Sequence, residues 1–212
     1  MEPKQPIRVK VTVLCGVFAP IVAFTCIGLA IYYSPWFTWT GNWLSDLGGI
    51  SGEKPIWAAR GVASVIFNFG LIITGIMGLM FASVVRKISI LNTRLGRIGT
   101  LLLVIDISAL TAIGIFPETT GYLHSLASII FFSLIPLSLL PIGFVLRNST
   151  EKLIGLFVIL IGIISLCSLS LIFIPQPWGG NAIAEMFPIV SIAMFAIVMG
   201  ISLLKGKFEL NL

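Results

Sequence analysis

The sequence predicts an all-α fold, a polytopic membrane bundle of six transmembrane helices that forms a single domain over residues 1–212. Hydrophobic residues make up 58% of the chain and charged residues only 10%, whereas soluble domains carry about 25% charged residues. Six apolar stretches reach the roughly 20 residues that a helix needs to cross a bilayer. They cover residues 9–33, 61–85, 97–116, 123–146, 153–174 and 185–204.

The apolar runs favour helices over a membrane β-barrel. Only helices and closed barrels satisfy all backbone polar groups in hydrocarbon, and barrel strands alternate apolar with polar residues. The run GLFVILIGIISLCSLSLIFI shows no such alternation. The first apolar run is too long for the apolar region of a signal peptide, so we expect it to remain in the protein.

The basic residues predict the orientation of the bundle. Eleven of the 13 Lys and Arg residues lie at the two termini or in the connections between helices 2 and 3 and between helices 4 and 5. Only Lys54 and Arg60 lie on the other side. Because cytoplasmic loops are enriched in Lys and Arg, this pattern predicts a multi-pass protein of the cell membrane with both termini in the cytoplasm. The same distribution argues against nucleic-acid binding.

The opposite side of the predicted bundle is aromatic. It holds all the tryptophans and tyrosines of the chain: Trp36, Trp39, Trp43, Trp57, Trp178, Tyr32, Tyr33 and Tyr122. Such residues anchor proteins at the headgroup layer, so the loop over residues 34–60 is expected at the outer membrane surface. The spacing of its first three tryptophans also fits one face of a short interfacial helix. The alternative is an anchoring belt with no further role.

Polar side chains on this side predict a functional site. Asp46, Glu118 and His124 lie near the outer helix ends. From the helical rise of 1.5 Å per residue, Asn68 lies roughly 10 Å and Asp106 roughly 15 Å below the outer boundary. Together these residues predict a polar column that opens to the outside.

Asp106 is the most costly residue in the predicted membrane interior. An aspartate at a helix centre costs about 2.5–3.5 kcal/mol on insertion scales, and such residues usually face a cavity or a partner. One interpretation gives Asp106 a role in a ligand cavity or a proton path. The other is a neutral aspartate that bonds across helices to Asn68, Ser108 or a backbone carbonyl.

Two kinds of catalytic site find weaker support in the spacing. His124 and Ser128 share one face of helix 4, but serines in membrane helices commonly bond the carbonyl four residues earlier. Asp46, Glu118, Glu185 and His124 have the ligand chemistry for a metal. One histidine without HExxH or CxxC spacing argues against a zinc site, and no nucleotide motif is present. We therefore predict no metal and no cofactor.

Three segments resemble a known family: NWLSDLGG after helix 1, FNFG in helix 2, and GIFPETTGYLHSLASIIFF across the junction of helices 3 and 4. They resemble the domain of unknown function 998 family of six-helix prokaryotic membrane proteins, and more broadly the Frag/DRAM/Sfk superfamily. The matching positions are Ser45, Asp46, Gly48, Asn68 and His124. Eukaryotic superfamily members are associated with lipid-anchor remodelling and membrane trafficking, so the resemblance implies a lipid-related role.

The leading hypothesis is a lipid-handling membrane protein that acts on membrane lipids by binding, hydrolysis or transfer. His124 and Asp46 would meet the head group and supply any catalysis, with His124 as general acid or base. The substrate-binding residues would be Ser45, Asn68, Asp106 and Glu118. One alternative is a transporter or proton pathway that uses Asp106. Another is a non-catalytic scaffold that binds a membrane protein through the small-residue face GLIITGIMG of helix 2.

Overall fold

The computed structural model describes residues 6–174, 176–177 and 179–211 and contains six long helices in this part of the chain. They are α1 (Ile7–Tyr32), α2 (Val62–Val85), α3 (Arg94–Ile115), α4 (Tyr122–Leu146), α5 (Lys152–Phe173) and α6 (Ala182–Leu204). Each is long and apolar enough to cross a membrane. Within the described residues, extended pairing is limited to a single bridge between Ile88 and Leu210. The predicted all-α bundle of six membrane helices is confirmed.

Helices that follow one another in the chain pack side by side, and α6 returns to α1 to close the bundle. Helix α6 also contacts α4. The short connections place the start of α1, the end of α6, the α2–α3 connection and the α4–α5 connection at one end of the bundle, which we call the basic end. The other end, with the α1–α2 loop, the α3–α4 connection and the α5–α6 connection, is the tryptophan end.

Helices α2 and α3 pack closely because glycines lie where they meet. A Cβ atom on Gly75 would overlap the side chain of Thr111, and one on Gly114 would lie 2.6 Å from the Asn68 carbonyl oxygen. A Cβ atom on Gly78 would lie 2.8 Å from Ile107 Cγ2. Small residues allow such close approach between membrane helices. The small-residue face GLIITGIMG is therefore used inside the bundle, so the scaffold hypothesis loses the surface on which it rested.

The short helix predicted for the first three tryptophans does not form. The segment over residues 34–43 consists of turns, and only Leu44–Gly48 forms a 3-10 helix. Asn42 Oδ1 accepts from the Thr38 N–H at 2.9 Å, and Thr38 Oγ1 accepts from the Gly41 N–H at 3.1 Å. Side-chain acceptors of this kind offer the backbone an alternative to helical hydrogen bonds.

The described aromatic residues of the tryptophan end remain exposed. Side chains of Trp36, Trp39, Trp43 and Trp57 are all exposed, as are those of the three tyrosines. Arg60 lies over the ring of Trp36, with its guanidinium carbon 4.1 Å from the ring centre. Trp178 lies outside the described residues.

The α1–α2 loop is fastened to the α5–α6 connection by backbone hydrogen bonds. The Gly180 N–H donates to the Thr40 carbonyl at 2.7 Å, and the Ala182 N–H donates to the Asn42 carbonyl at 3.0 Å. A Cβ atom on Gly180 would overlap the backbone of Asn42. This contact brings the 3-10 helix and the first turn of α6 together.

Candidate functional site

A polar cavity of about 520 Å³ lies at the tryptophan end. It is bounded by the α1–α2 loop, the α3–α4 connection and the first turns of α4 and α6. Hydroxyl, carboxyl and imidazole groups line it, together with exposed aromatic rings. The polar members are Ser45, Ser51, Glu118, His124, Ser125, Ser128 and Glu185.

An apolar cavity of about 110 Å³ runs into the bundle between α1, α2, α3, α4 and α6. On α2 its lining extends from Phe67 to Ala82, which corresponds to about 22 Å along the helix. That length exceeds one leaflet, since the whole hydrocarbon core is about 30 Å thick. The two cavities meet, because the same five residues line both: Ser45, His124, Ser128, Phe132 and Glu185.

His124 lies at the junction of the cavities with both ring nitrogens engaged. Nδ1 is 2.9 Å from the Phe116 carbonyl oxygen, and Nε2 is 3.3 Å from Ser128 Oγ. A carbonyl oxygen only accepts, so Nδ1 carries a proton. In the neutral ring Nε2 is then an acceptor, and the Ser128 hydroxyl donates to it.

The end of α3 explains why His124 is held in this orientation. The last carbonyls of a helix lack partners within it, and Pro117 prevents the helix from continuing because it has no N–H to donate. His124 Nδ1 donates to the carbonyl of Phe116, while Trp57 Nε1 donates to that of Ile115 at 3.0 Å. One structural role of His124 is therefore to cap the C-terminal end of α3. The same hydrogen bond fixes the orientation of its imidazole ring.

Two glutamates face the polar cavity. Glu185, which is 4% exposed, accepts the Leu44 N–H at 2.7 Å and so joins α6 to the 3-10 helix. Glu118 begins the turn between α3 and α4 and is half-buried. Burial raises the pKa of Glu118 from 4.5 to about 7, against the lowering effect of its hydrogen bond with Ser45. Among the described residues, Glu118 Oε2 has no hydrogen-bond partner.

Asp46 and Asn68 hold the loop instead of facing either cavity. Asp46 Oδ2 accepts from Asn42 Nδ2 at 2.8 Å and from the Trp43 N–H at 3.1 Å. Asn68 Nδ2 donates to the Gly48 carbonyl at 3.2 Å. Neither residue lines the polar or the apolar cavity. The geometry gives Asp46 a structural task in the loop, and its catalytic role stays a prediction.

Asp106 is fully buried in α3 and stands apart from the other site residues. Neither carboxyl oxygen has a hydrogen-bond partner among the described residues. The two expected side-chain partners bond elsewhere, since Ser108 donates to the Val104 carbonyl and Asn68 to that of Gly48.

The predicted polar column is therefore wrong. Asp106 lines neither cavity, and the cavity beneath His124 is lined mainly by apolar side chains. The proton-path alternative required a cavity that continues past Asp106, and neither of the two cavities provides one.

The sequence-predicted site is thus brought together only in part. Ser45, Glu118 and His124 share the polar cavity, while Asp46, Asn68 and Asp106 do not reach it. Ser128 and Glu185 also line this cavity, although the sequence supports them only weakly, as a nucleophile and as one of four candidate metal ligands. The spacing of Ser128 four residues after His124 was the signal for the first, and the position of Glu185 in the first turn of α6 was the signal for the second.

No metal centre is formed by these groups. Within the described residues, no three His, Cys, Asp or Glu side chains lie close enough together to hold a metal ion. Glu185 and Glu118 are instead joined to the loop through Leu44 and Ser45.

Comparison with known proteins identifies a family. The sequence profile described as protein of unknown function, DUF998, matches residues 17–202, from within α1 to within α6. No curated protein and no solved structure matches the chain.

Proposed function

The chain belongs to the DUF998 family, and we propose that this membrane protein binds an amphipathic lipid across the two cavities. The polar group of the lipid occupies the polar cavity, and a short part of an acyl chain next to it enters the apolar cavity. One observation supports this proposal above the others. A polar and an apolar cavity share five lining residues, so a single molecule with a polar and an apolar part fits across the junction.

The apolar cavity suits an acyl chain better than water. An engineered apolar cavity of about 150 Å³ stays dry and binds benzene, and a buried water needs two to four polar partners. Below the junction the lining consists mainly of side chains such as Phe67, Leu103 and Phe131. An apolar guest gains dispersion contacts that an empty cavity lacks.

The polar cavity favours a head group that bears hydroxyl or amine groups. Among the described residues that line it there is no Lys or Arg, whereas two carboxyl groups, Glu118 and Glu185, face it. Phosphate recognition usually employs Arg or Lys. Hydroxyl and amine groups can instead donate to the carboxyl oxygens and to Ser45.

The proposal includes the orientation of the bundle in the cell membrane. Under the positive-inside rule the basic end faces the cytoplasm. The polar cavity then lies at the outer surface, and the exposed tryptophans around it lie at headgroup depth. The lipid would therefore enter from the outer leaflet.

The test is to block the apolar cavity and measure bound lipid. Ala23 lines the cavity on α1, and Ala23→Phe fills that space. Gly28 lies on the same helix with nothing within 4 Å of an added Cβ, so Gly28→Phe is the matched control. We expect native mass spectrometry of the purified proteins to show co-purified lipid on wild type and on Gly28→Phe, with at least a fivefold loss on Ala23→Phe.

Folding is checked by thermal unfolding in detergent. Should Ala23→Phe fail to fold, Ala196→Phe fills the same cavity from α6. A folded blocking variant that retains wild-type lipid occupancy would contradict the proposal, and so would a wild-type protein that carries no lipid.

A further inference from the structure

We propose that Ser128 and His124 form a nucleophile–base pair that cleaves or transfers the acyl ester of the bound lipid. The inference rests on the proposed lipid binding and assigns a reaction to the junction of the two cavities. Its basis is the geometry of the pair, its place between polar and apolar surroundings, and the bonding of Ser128 compared with other serines of the chain.

The pair has the arrangement that activates a serine. A nucleophile, a base within hydrogen-bond reach and a third group that orients the base are the common pattern. Ser128 Oγ lies 3.3 Å from His124 Nε2, and the Phe116 carbonyl fixes the ring through Nδ1 at 2.9 Å. Here a helix-end carbonyl takes the place that a carboxylate occupies in a triad, because it accepts the same N–H.

Ser128 bonds differently from most of the other serines in the described helices. Seven helical serines donate to a backbone carbonyl three or four residues earlier, as is common in membrane helices: Ser83, Ser108, Ser125, Ser138, Ser168, Ser170 and Ser191. The hydroxyl of Ser128 instead bonds to the imidazole of His124. Ser128 is also half-buried and lines both cavities.

Ser128 lies a few ångströms deeper than the esters of the bilayer lipids. It is the seventh residue of α4, so it lies about 9 Å from the start of the helix. Helix α4 has 25 residues and is about 37 Å long, which exceeds the hydrocarbon core by about 7 Å. Centred in the bilayer, the helix holds Ser128 about 5 Å below the core boundary, so the ester of a bound lipid reaches it by entering the site about 5 Å deeper than in the bilayer.

The reaction balances with groups that the site and the lipid supply. Ser128 Oγ bonds to the ester carbonyl carbon while its proton passes to His124 Nε2. The bond from that carbon to the alkoxy oxygen then breaks, and the proton on Nε2 passes to the departing alcohol. Water or a second alcohol from the polar cavity attacks the acyl-serine, His124 takes its proton, and the proton returns to Ser128 Oγ. The products are a fatty acid or a new ester.

The experiment uses alkyl fluorophosphonates as probes on the purified full-length protein in detergent. An activated serine displaces fluoride and becomes covalently phosphonylated, which intact-mass and peptide mass spectrometry locate. We expect labelling of wild type at Ser128 and no labelling of that position in Ser128→Ala. His124→Gln should slow labelling by about 100-fold or more, since a general base contributes at least that much.

Ser138→Ala is the matched control, because Ser138 lies on the same helix, donates to the Ile135 carbonyl and lines neither cavity. It should label as wild type does. Should His124→Gln unfold, the comparison of labelling between wild type and Ser128→Ala still tests the inference. A folded wild-type protein that resists short- and long-chain probes overturns the inference, as does labelling that persists in Ser128→Ala.

The two proposals fail separately. Lipid on the wild-type protein without serine labelling would leave the binding proposal intact and remove the reaction. Labelling of Ser128 without bound lipid would show an activated serine and overturn the lipid-binding proposal.

Discussion

At the scale of single residues, the polar side chains of the tryptophan end are of two kinds. Some form hydrogen bonds that stabilise the loop, and others line the polar cavity. Asp46 and Asn68 form hydrogen bonds with neighbouring groups of the loop. Glu118 keeps one oxygen without a partner among the described residues. Since an unpaired buried polar atom costs free energy, its presence at a cavity marks a place where a ligand can supply the missing bond.

Glu118 should also give the protein a pH-dependent stability. The pKa of Glu118 is about 7 in the folded protein, compared with an ordinary value of 4.5. Between these values the unfolded chain loses a proton that the folded chain keeps, so the free energy of unfolding falls as pH rises from about 4.5 to 7. Glu118→Gln should remove this part of the slope, measured as unfolding temperature in detergent across that range.

The control for Glu118→Gln is Glu209→Gln, which changes an exposed glutamate at the basic end. We expect it to retain the wild-type slope. An unchanged slope in Glu118→Gln would show that this carboxyl does not bind its proton more tightly in the folded protein.

At the scale of helices, shape complementarity between small residues and side chains sets the packing. Apolar burial alone does not drive helices together in lipid. Gly75, Gly78 and Gly114 let α2 and α3 approach so closely that Thr111 and Ile107 fill the space a side chain would need. This packing also leaves the apolar cavity between α1, α2, α3, α4 and α6, away from α5.

A pair of alanine substitutions separates packing from helix propensity. Gly75→Ala places a Cβ atom against Thr111, including its backbone Cα at 3.0 Å, and should lower the free energy of unfolding by about 1–3 kcal/mol. Gly28→Ala meets nothing within 4 Å and should raise it by up to about 1 kcal/mol. Unfolding of both variants in mixed micelles measures the difference. Equal stability of the two would contradict this account of the α2–α3 contact.

At the scale of the whole molecule, the two ends of the bundle differ in chemistry. The basic end carries the connections rich in Lys and Arg. The C-terminal segment packs across this end and bonds to those connections. There the Ser89 N–H donates to the Glu209 carbonyl at 2.9 Å, and Lys207 pairs with Glu151 at 2.7 Å. The tryptophan end carries the exposed aromatic rings and the polar cavity. The proposed orientation of the protein in the membrane rests on this difference between the two ends.

Cysteine labelling tests the orientation. In a background without Cys15, Cys26 and Cys167, Lys54→Cys introduces a thiol at the tryptophan end and Asn148→Cys one at the basic end. A membrane-impermeant maleimide should label only Lys54→Cys on intact cells, and both variants after permeabilisation. Labelling of Asn148→Cys alone on intact cells would reverse the orientation and place the polar cavity at the cytoplasmic surface.

The sequence predicts local structure better than it predicts contacts between distant segments. The six apolar helices follow from composition and run length. The loop helix did not form, because the hydrogen-bonding preferences of Thr38 and Asn42 compete with the helical spacing of the tryptophans. The polar column failed for another reason. Helical rise gives the depth of Asn68 and Asp106, but the direction in which each side chain points depends on how the helices are rotated.

The sequence by itself determined that this chain forms six membrane helices with basic residues at one end and aromatic residues at the other. Hydrophobicity and charge act residue by residue, so they can be read along the chain. The spacing of His124 and Ser128 already placed them on one face of helix 4, but only the tertiary structure decided that this pair meets Glu185 and Ser45, while Asp46, Asn68 and Asp106 lie elsewhere. The contacts between residues distant in the chain depend on how the helices are rotated and how closely they pack.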